Sequence, residues 1–330
     1  MRPRSIWLLV ALALGLLAAP LAADAQQPAG KVSRIAWLVF APPSPEGLKV
    51  FLAAMRERGW TEGRNLAVQI RVGRLEEAED LARKVIAEGI DVLLTPTTSM
   101  AIAVRRVTHT VPIVMVASGY PVEVGLAASL RRPGGNVTGN TIYAGVEIWG
   151  KYLELLREAV PGMTRLGVLW DYAPPAFPDG PIALDELQRA ARTLGISVRL
   201  HLVRRQEDLD RALTALGVED VHALFVTSNG VHFPVRARIA EFALRRRLPT
   251  LTDYSWPEPD TLLFAYSPSL EDLFRGTARF VDRILRGASP GDLPIEQPAR
   301  FEFIINRRTA KALGLTLPPS ILVRADKVIE

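Results

Sequence analysis

Residues 91–117 read DVLLTPTTSMAIAVRRVTHTVPIVMVA, and this stretch decides the fold class. Two short apolar runs, at 91–95 and 112–117, enclose an amphipathic helical pattern at 99–107. Strands that are apolar along nearly their whole length are typical of a parallel sheet covered by helices on both faces. The stretch therefore predicts a β-strand, an α-helix and a second, parallel β-strand.

The same alternation extends through most of the chain as two successive series of similar length, which predicts two similarly built lobes. The first series comprises strands at 33–40, 65–72, 91–95 and 112–117 and helices at 45–58, 76–88, 99–107 and 122–130. The second comprises strands at 165–170, 197–203, 223–227 and 250–254 and helices at 147–158, 183–193, 206–216 and 234–247.

The C-terminal tail is less regular than either series. It carries strands at 262–267 and 301–306, a strongly amphipathic helix at 270–286, a short helix at 308–313 and an extended end. A tail of this size can return to both lobes, and we expect it to make the connection between them multi-stranded.

The fold class that these patterns predict is α/β, with two Rossmann-like lobes whose parallel central sheets are joined by a multi-strand hinge. We place the first lobe at 31–143 plus about 268–298. The second lobe is placed at 144–267 plus about 299–330. A Pro/Gly-rich segment lies just before the junction, so the first crossing is expected at 141–146.

The start of the chain carries the pattern of an export signal. Arg2 and Arg4 precede an uncharged apolar run at 6–17, and small residues then end in Ala23-Asp24-Ala25. This order of basic, apolar and small residues is typical of a secretory signal peptide. Because the apolar run is shorter than the roughly 20 residues that a membrane-spanning helix needs, we favour cleavage after Ala25 over an N-terminal membrane anchor.

The chain of 330 residues contains no cysteine, which excludes a lipid-anchored export signal, disulfides and thiolate metal sites. We therefore expect a freely soluble, periplasmic mature protein. The formal net charge of +5 comes from dispersed basic residues, without the basic stripe and interleaved aromatic residues of a nucleic-acid-binding surface.

Sequence motifs for catalysis or cofactor binding are missing. The chain has no nucleophile elbow of the G-x-S-x-G type, no glycine-rich phosphate-binding loop and no metal-ligand spacing among its 4 histidines. We therefore expect a protein that is not an enzyme and that needs no cofactor or metal.

The loops at the predicted strand ends contain the candidate binding residues. In parallel α/β sheets, ligands bind beyond the carboxyl ends of the strands. These loops carry hydroxyls, amides and aromatic rings with almost no Lys or Arg, which suits a small organic ligand. The predicted ligand-binding residues are Thr95, Thr97, Thr98, Ser118, Tyr120, Asp171, Ser228, Asn229 and Tyr254.

Several of these residues have a second interpretation. Residues 97–99 are good N-caps for the following helix, and its free N–H groups also suit a ligand carboxylate. Asp171 is suited either to a ligand ammonium group or to capping the next segment. Tyr120 and Tyr254 can be core or rim residues, but as a pair in opposite lobes they predict an aromatic clamp.

Five stretches of the chain resemble segments of a bacterial family of ABC transporter substrate-binding proteins. The segment 55–65 reads MRERGWTEGRN, and the others are 111–114, 125–139, 151–161 and 297–330. Together they follow the family's order over nearly the whole mature chain. The resemblance implies a type I periplasmic-binding fold with three crossover strands and a ligand in the cleft between the lobes.

The resemblance also implies a function. A monomer would close over a small-molecule ligand by a hinge motion and deliver it to an ABC permease powered by a cytoplasmic ATPase. Characterised relatives include binders of aromatic amino acids such as tryptophan and phenylalanine. The family commonly has Asp where this chain has Tyr120, which favours a more apolar or less cationic solute. The alternatives are a sensory protein that presents its closed form to a receptor, and an enzyme that uses the same cleft.

Overall fold

The computed structural model describes residues 32–39, 45–145, 147–171, 178–205, 207–227, 231–254 and 262–330. The predicted signal peptide and its cleavage site lie outside these residues. Within the described ranges, no helix is both long enough and apolar enough to cross a bilayer.

The first sheet has five parallel strands in the order β2-β1-β3-β4-β5. Its strands are β1 (Ser33–Val39), β2 (Leu66–Val72), β3 (Val92–Thr95), β4 (Ile113–Ser118) and β5 (Val137–Thr141). The helices between them are α1 (Pro45–Glu57), α2 (Ala78–Ala87) and α3 (Thr98–Val107), with a 3-10 turn at Leu75–Glu77 before α2.

The second series continues the alternation. Its helices are α4 (Glu147–Ala159), α5 (Gly180–Thr193), α6 (Asp208–Val218) and α7 (Arg236–Arg245). Its strands are β6 (Arg165–Trp170), β7 (Ser197–Leu202), β8 (Ala223–Val226) and β9 (Thr250–Thr252), with a 3-10 turn at Phe233–Val235 before α7.

The tail completes both halves of the molecule. Its elements are β10 (Phe264–Pro268), α8 (Leu270–Leu285), a 3-10 turn (Pro290–Asp292), β11 (Phe301–Asn306), α9 (Arg307–Leu313), α10 (Pro319–Val323) and β12 (Lys327–Ile329). The second sheet has seven strands in the order β12-β11-β10-β9-β8-β6-β7. We call the first sheet with α1–α3 and α8 the first lobe, and the second sheet with the other helices the second lobe.

The strands of the first sheet are buried on both faces. Ala36 and Leu38 of β1 pack in the core cluster that includes residues of α2 and α3. The alternate residues Ile35 and Trp37 pack in a second cluster with residues of α1 and α8. Since each fully buried apolar side chain stabilises the fold by about 1.5–3 kcal/mol, a continuous apolar strand is stable only with helices on both sides.

The chain crosses between the lobes three times within the stretches described. The first crossing joins β5 to α4, the second joins β10 to α8, and the third precedes β11. At the third crossing, Glu296 donates its N–H to Gly139 O at 2.9 Å and accepts from Thr141 N–H at 2.8 Å. The hinge is therefore held together by main-chain hydrogen bonds between distant parts of the sequence.

The predicted α/β class with two Rossmann-like lobes is confirmed, and the deviations are local. The helix expected at 122–130 is wrong, because the chain forms turns in which the N–H groups of Leu126 and Ala127 both donate to Pro121 O. Gly125 adopts a φ of 76° there, which a helix does not allow.

Three further elements differ from the expectation. The second sheet is not wholly parallel, since β10 and β11 pair antiparallel. The C-terminus, expected to be extended, contains α10 and β12. The strand β5 falls partly in the segment interpreted as a Pro/Gly-rich connection; its Gly139 lies so close to β4 that a Cβ would be 2.2 Å from Met115 O.

Candidate ligand-binding cleft

On the first lobe, the candidate site lies where β3 and β4 end and α3 begins. Thr97 caps α3, its Oγ1 accepting from Met100 N–H at 3.4 Å. Thr98 Oγ1 accepts from Gly119 N–H at 2.8 Å, which joins the loops that follow β3 and β4. The hydroxyls of Thr95 and Ser118 are fully buried and have no hydrogen-bond partner among the described residues.

Asp179 of the second lobe contacts the loops that follow β3 and β4. It occupies the N-cap position of α5 but makes no capping hydrogen bond with its side chain. Its Oδ2 instead lies 3.1 Å from Thr98 Oγ1, which donates to it or to Gly119 O. Its Oδ1 is buried without a partner. The two lobes therefore touch at the carboxyl ends of the first sheet.

Burial raises the pKa of the Asp179 carboxyl to about 6, and the hydrogen bond from Thr98 opposes this rise. The cause is the loss of hydration, which disfavours the ionised form. A carboxyl in this state titrates near neutral pH. Its charge therefore changes between about pH 5 and pH 7.

Gly119 is required for this contact between the lobes. A Cβ at this position would lie 2.3 Å from Asp179 Oδ2 and 2.9 Å from Tyr143 Cε2, closer than real Cβ atoms approach. The two lobes can approach to this distance because residue 119 has no side chain.

Tyr120 forms a second bridge between the lobes. Its hydroxyl accepts a hydrogen bond from Trp149 Nε1 of α4 at 2.9 Å, and its ring centroid lies 5.3 Å from that of Tyr143. Its backbone has a φ of 46°, a conformation that costs a non-glycine residue about 1–3 kcal/mol. Burial raises the pKa of this phenol to about 12, so it stays protonated.

Behind Tyr120, aromatic rings run into the core of the second lobe. The ring of Trp149 lies 5.3 Å from that of Tyr143, 5.7 Å from that of Trp170 and 6.2 Å from that of Phe225. Such tilted and edge-on pairs each contribute about 0.5–1.5 kcal/mol beyond their buried area. We call this cluster of buried rings, against which Tyr120 packs, the aromatic wall.

Asp171 holds the strand ends of the second lobe together. The side chains of Asp171, Thr227 and His232 are fully buried. Asp171 Oδ1 accepts from Thr227 Oγ1 at 2.7 Å, and Oδ2 accepts from His232 N–H at 3.1 Å. Thr227 Oγ1 also accepts from Asp171 N–H at 2.9 Å. These bonds join the end of β6 to the end of β8. The segment that Asp171 would cap, 172–177, lies outside the described residues, and the contact of Asp171 with a ligand ammonium group stays a prediction.

The remaining predicted residues, Tyr254, Ser228 and Asn229, follow strands of the second lobe in sequence. Tyr254 is half-buried against the core cluster that contains Leu169 and Val226, and burial raises its pKa. The predicted clamp of Tyr120 and Tyr254 stays a prediction. Ser228 and Asn229 lie outside the described residues.

The sequence patterns missed Asp179, Gly119 and the aromatic wall. Asp179 lies at a helix start rather than directly after a strand, and the helix had been expected to begin at residue 183. The available signal was an Asp before Gly180-Pro181, since Asp is a preferred N-cap and Pro is favoured in the first helical turn.

An open groove of about 740 Å³ runs along the outer side of the contact between the lobes. Residues of the 3-10 turn at Leu75–Glu77, α2, α3, the 123–124 turn and the segment 178–182 line it. Its charged lining residues are Glu76, Glu79, Asp80, Glu123, Arg83 and Arg106. With four acids and two arginines, the groove has an excess of negative charge.

The model of one protein family, described as ABC transporter substrate binding protein, matches residues 36–329. The chain belongs to this family. The resemblance predicted from the five sequence segments is therefore confirmed. The family consists of substrate-binding proteins, not enzymes.

Individual relatives agree with this assignment. The chain is 25% identical over 283 residues to a tyrosine-binding protein of Clostridioides difficile strain R20291, covering 85% of this chain and 80% of the relative. A conserved domain protein of Vibrio cholerae is 24% identical, with a TM-score of 0.82 over 90% of this chain and 100% of that one.

A third similar protein is the ABC domain of a Streptococcus pneumoniae protein, solved in complex with L-Trp. It is 20% identical, with a TM-score of 0.80 over 90% of this chain and 99% of that one. These structural similarities confirm the type I periplasmic-binding fold that the sequence resemblance implied.

Proposed function

We propose that this protein is the extracytoplasmic solute-binding component of an ABC importer. It captures a small organic solute, amino-acid-like or aromatic, in the cleft between its lobes. It then presents the closed form, as a monomer, to a membrane permease powered by a cytoplasmic ATPase. The family membership and the signal-peptide pattern at residues 1–25 support the export and the importer role.

The observation that carries this proposal is the contact between Thr98 and Asp179 at the carboxyl ends of the first sheet. This is the place where ligands bind in open parallel sheets. It joins the two lobes, and buried hydroxyls without partners lie beside it. The residues proposed to contact the solute are Thr95, Thr97, Thr98, Ser118, Tyr120, Asp171, Ser228, Asn229 and Tyr254.

The mechanism we propose is a shift between open and closed states. A solute that contacts both lobes stabilises the closed state by its differential affinity for that state. The hinge of three crossings absorbs the rotation, while each lobe moves as a packed unit. Closure then places the groove-lining residues Pro178 and Ile182 of the second lobe against α3 of the first, which creates a surface that differs between the two states.

Two relatives narrow the choice of solute. The C. difficile relative is named a tyrosine-binding protein, and the S. pneumoniae structure contains L-Trp. An amino acid with an aromatic side chain suits the hydroxyls of the first lobe and the aromatic wall beside Tyr120.

The test is a thermal-shift screen of the mature chain, residues 26–330, against amino acids, aromatic acids, aromatic amines and nucleosides. A solute at 100 times its dissociation constant stabilises the protein by about 2.7 kcal/mol. We expect a clear shift with at least one small solute, together with a smaller radius of gyration in X-ray scattering. Absence of any shift, combined with catalytic turnover of a panel compound, would contradict the proposal.

A further inference from the structure

The carboxyl of Asp179 is buried between the lobes without a countercharge. Among the described residues, the only side chain that hydrogen-bonds to it is the neutral Thr98, and no cation contributes to its pKa. Burying a carboxylate without a cation costs several kcal/mol, and such a group either becomes protonated or requires a cation.

The chain itself has few groups that could supply a positive charge to pair with the Asp179 carboxylate. The segments 172–177, 228–230 and 255–261, which follow β6, β8 and β9 in sequence, contain no Lys, Arg or His. The arginines of the neighbouring groove already pair with acids, Arg83 with Glu79 and Asp80, and Arg106 with Glu79. The cation that would match Asp179 therefore has to arrive with the solute.

The surface beside Asp179 is negative as well. The groove outside the contact is lined by four acids and two arginines, and Pro178 and Ile182, which flank Asp179 in sequence, form part of its wall. A cleft lined by charge of one sign attracts the opposite charge and increases its local concentration. A cationic solute is favoured during approach as well as after binding.

We propose that Asp179 binds a protonated amine of the solute, so that the cleft takes amines and amino acids in preference to the same molecules without the amine. This inference rests on the proposed solute-binding function and narrows its ligand class. An ammonium group has three N–H donors. Among the described residues, Asp179 Oδ1 and the hydroxyls of Thr95 and Ser118, at the ends of β3 and β4, are buried acceptors without partners.

Two other ligand groups fit the same corner less well. The N-terminus of α3 was expected to hold a ligand carboxylate, but the structure places the Asp179 carboxyl there, and a second carboxylate would be repelled by it. A metal ion needs several acidic or histidine ligands, and the described residues contain no group of three that could hold one.

The first experiment compares matched compounds on the wild-type mature protein by calorimetry. The probes are tyrosine, tyramine and 3-(4-hydroxyphenyl)propionate, with the corresponding phenyl and indole sets. We expect tyrosine and tyramine, or their counterparts in another set, to bind at least roughly 30-fold more tightly than the acid without the amine. Equal affinity for the acid without the amine would overturn the assignment to Asp179 and leave the solute-binding function standing.

The pH profile of amine binding is a second readout that needs no variant. Because the amine requires the ionised carboxylate, its affinity should rise roughly 10-fold between pH 5 and pH 7. The ionisable groups that interact with Asp179 are the phenols of Tyr120 and Tyr143, whose pKa values burial raises. Glu123, Glu186 and Arg189 interact with Tyr120, and Asp253 interacts with Tyr143. A flat profile over this range would overturn the proposal.

The variant Asp179→Asn keeps the shape and can still hydrogen-bond to Thr98. It should weaken amine binding by roughly 30-fold or more and remove the pH dependence. The matched control is Asp185→Asn on the same helix, an exposed carboxylate paired with Arg189, which should leave affinity unchanged. If Asp179→Asn binds amines as tightly as the wild type, the proposal is wrong. If no compound of any set binds, the proposed solute-binding function itself fails.

Discussion

The strand ends of the two lobes are built in opposite ways. In the second lobe, Asp171 and Thr227 hydrogen-bond to each other, and Asp171 also accepts from the main chain of His232. In the first lobe, Thr95 and Ser118 are equally buried but have no partner among the described residues. A buried hydroxyl without a partner costs about 1–3 kcal/mol.

The two lobes therefore use their buried polar groups for different purposes. The second lobe uses the buried side chains of Asp171 and Thr227 to join the ends of β6 and β8, and of this group only His232 Nε2 has no partner among the described residues. The first lobe keeps hydrogen-bonding capacity that its own fold does not use, at the place where parallel sheets bind ligands. Asp179 adds the second lobe's contribution from a helix start, not from a strand end.

The largest effect is expected from Asp171→Ala. The change leaves the Thr227 hydroxyl and the His232 N–H buried without this acceptor and creates a cavity. We expect the free energy of unfolding to fall by about 3–4 kcal/mol, measured by urea denaturation. The control Asp185→Ala, on an exposed helix surface, should change it by less than about 0.5 kcal/mol. A loss as small as the control's would show that Asp171 does not hold these strand ends.

The next largest effect is the pH dependence that Asp179 gives to the free energy of unfolding in the absence of solute. Its pKa is about 6 in the folded protein against 3.8 in the unfolded chain, so its stabilisation is present below pH 3.8 and is lost as the pH rises through 6. The loss is at most about 3 kcal/mol. It is smaller if the lobes open instead, because opening rehydrates the carboxyl.

This dependence is measured as the difference in unfolding free energy between wild type and Asp179→Asn at pH 4 to pH 7. The wild type should lose stability relative to the variant as the pH rises. Subtracting the variant's unfolding free energy from that of the wild type removes the contribution of all other titrating groups. A difference that is constant over this range would contradict the burial of the carboxyl.

A matched pair of substitutions compares the lobes directly. Thr227→Val deprives Asp171 of two hydrogen bonds and should cost about 1–3 kcal/mol. Thr95→Val removes a hydroxyl that has no partner and should be neutral or slightly stabilising. Both are measured by urea denaturation. Equal costs for the two changes would remove the distinction between the lobes.

A smaller effect is expected from Gly119→Ala, which tests closure. The added Cβ cannot fit while Asp179 contacts Thr98, so the closed state should be disfavoured. Solute affinity should fall about 10-fold, equivalent to about 1.4 kcal/mol. Calorimetry measures the affinity, and scattering should show a larger radius of gyration with solute. The control Gly150→Ala lies in α4 with open space at its Cβ and should change neither.

Much of this fold could be predicted from the sequence because burial on both faces gives parallel strands an unambiguous apolar pattern. The strand β5 (VTGNT) had no such signal, although all five residues are buried. Its polar groups bond to residues far along the chain, as when Thr138 Oγ1 donates to Leu293 O at 2.8 Å. Tertiary partners of this kind are not visible in a local pattern.

The candidate site, like the fold, could be predicted only in part from the sequence. Thr98 and Ser118 were predicted because strand ends are where parallel sheets bind ligands. Asp179 could not be found by that rule, since its role depends on where α5 begins and on how the lobes meet. The loss of the family's usual Asp at Tyr120 favoured a less cationic solute, whereas Asp179 brings a carboxyl from the other lobe to the adjacent Gly119.

The most direct test is the variant Ser118→Ala, for which both the solute affinity and the free energy of unfolding are measured. The account predicts that solute affinity falls roughly 10-fold or more, since one hydrogen bond to the ligand is lost, whereas the free energy of unfolding stays within about 0.5 kcal/mol of the wild type. Unchanged affinity, or a loss of stability as large as that of Thr227→Val, would contradict the claim that the first lobe reserves its buried hydroxyls for a solute.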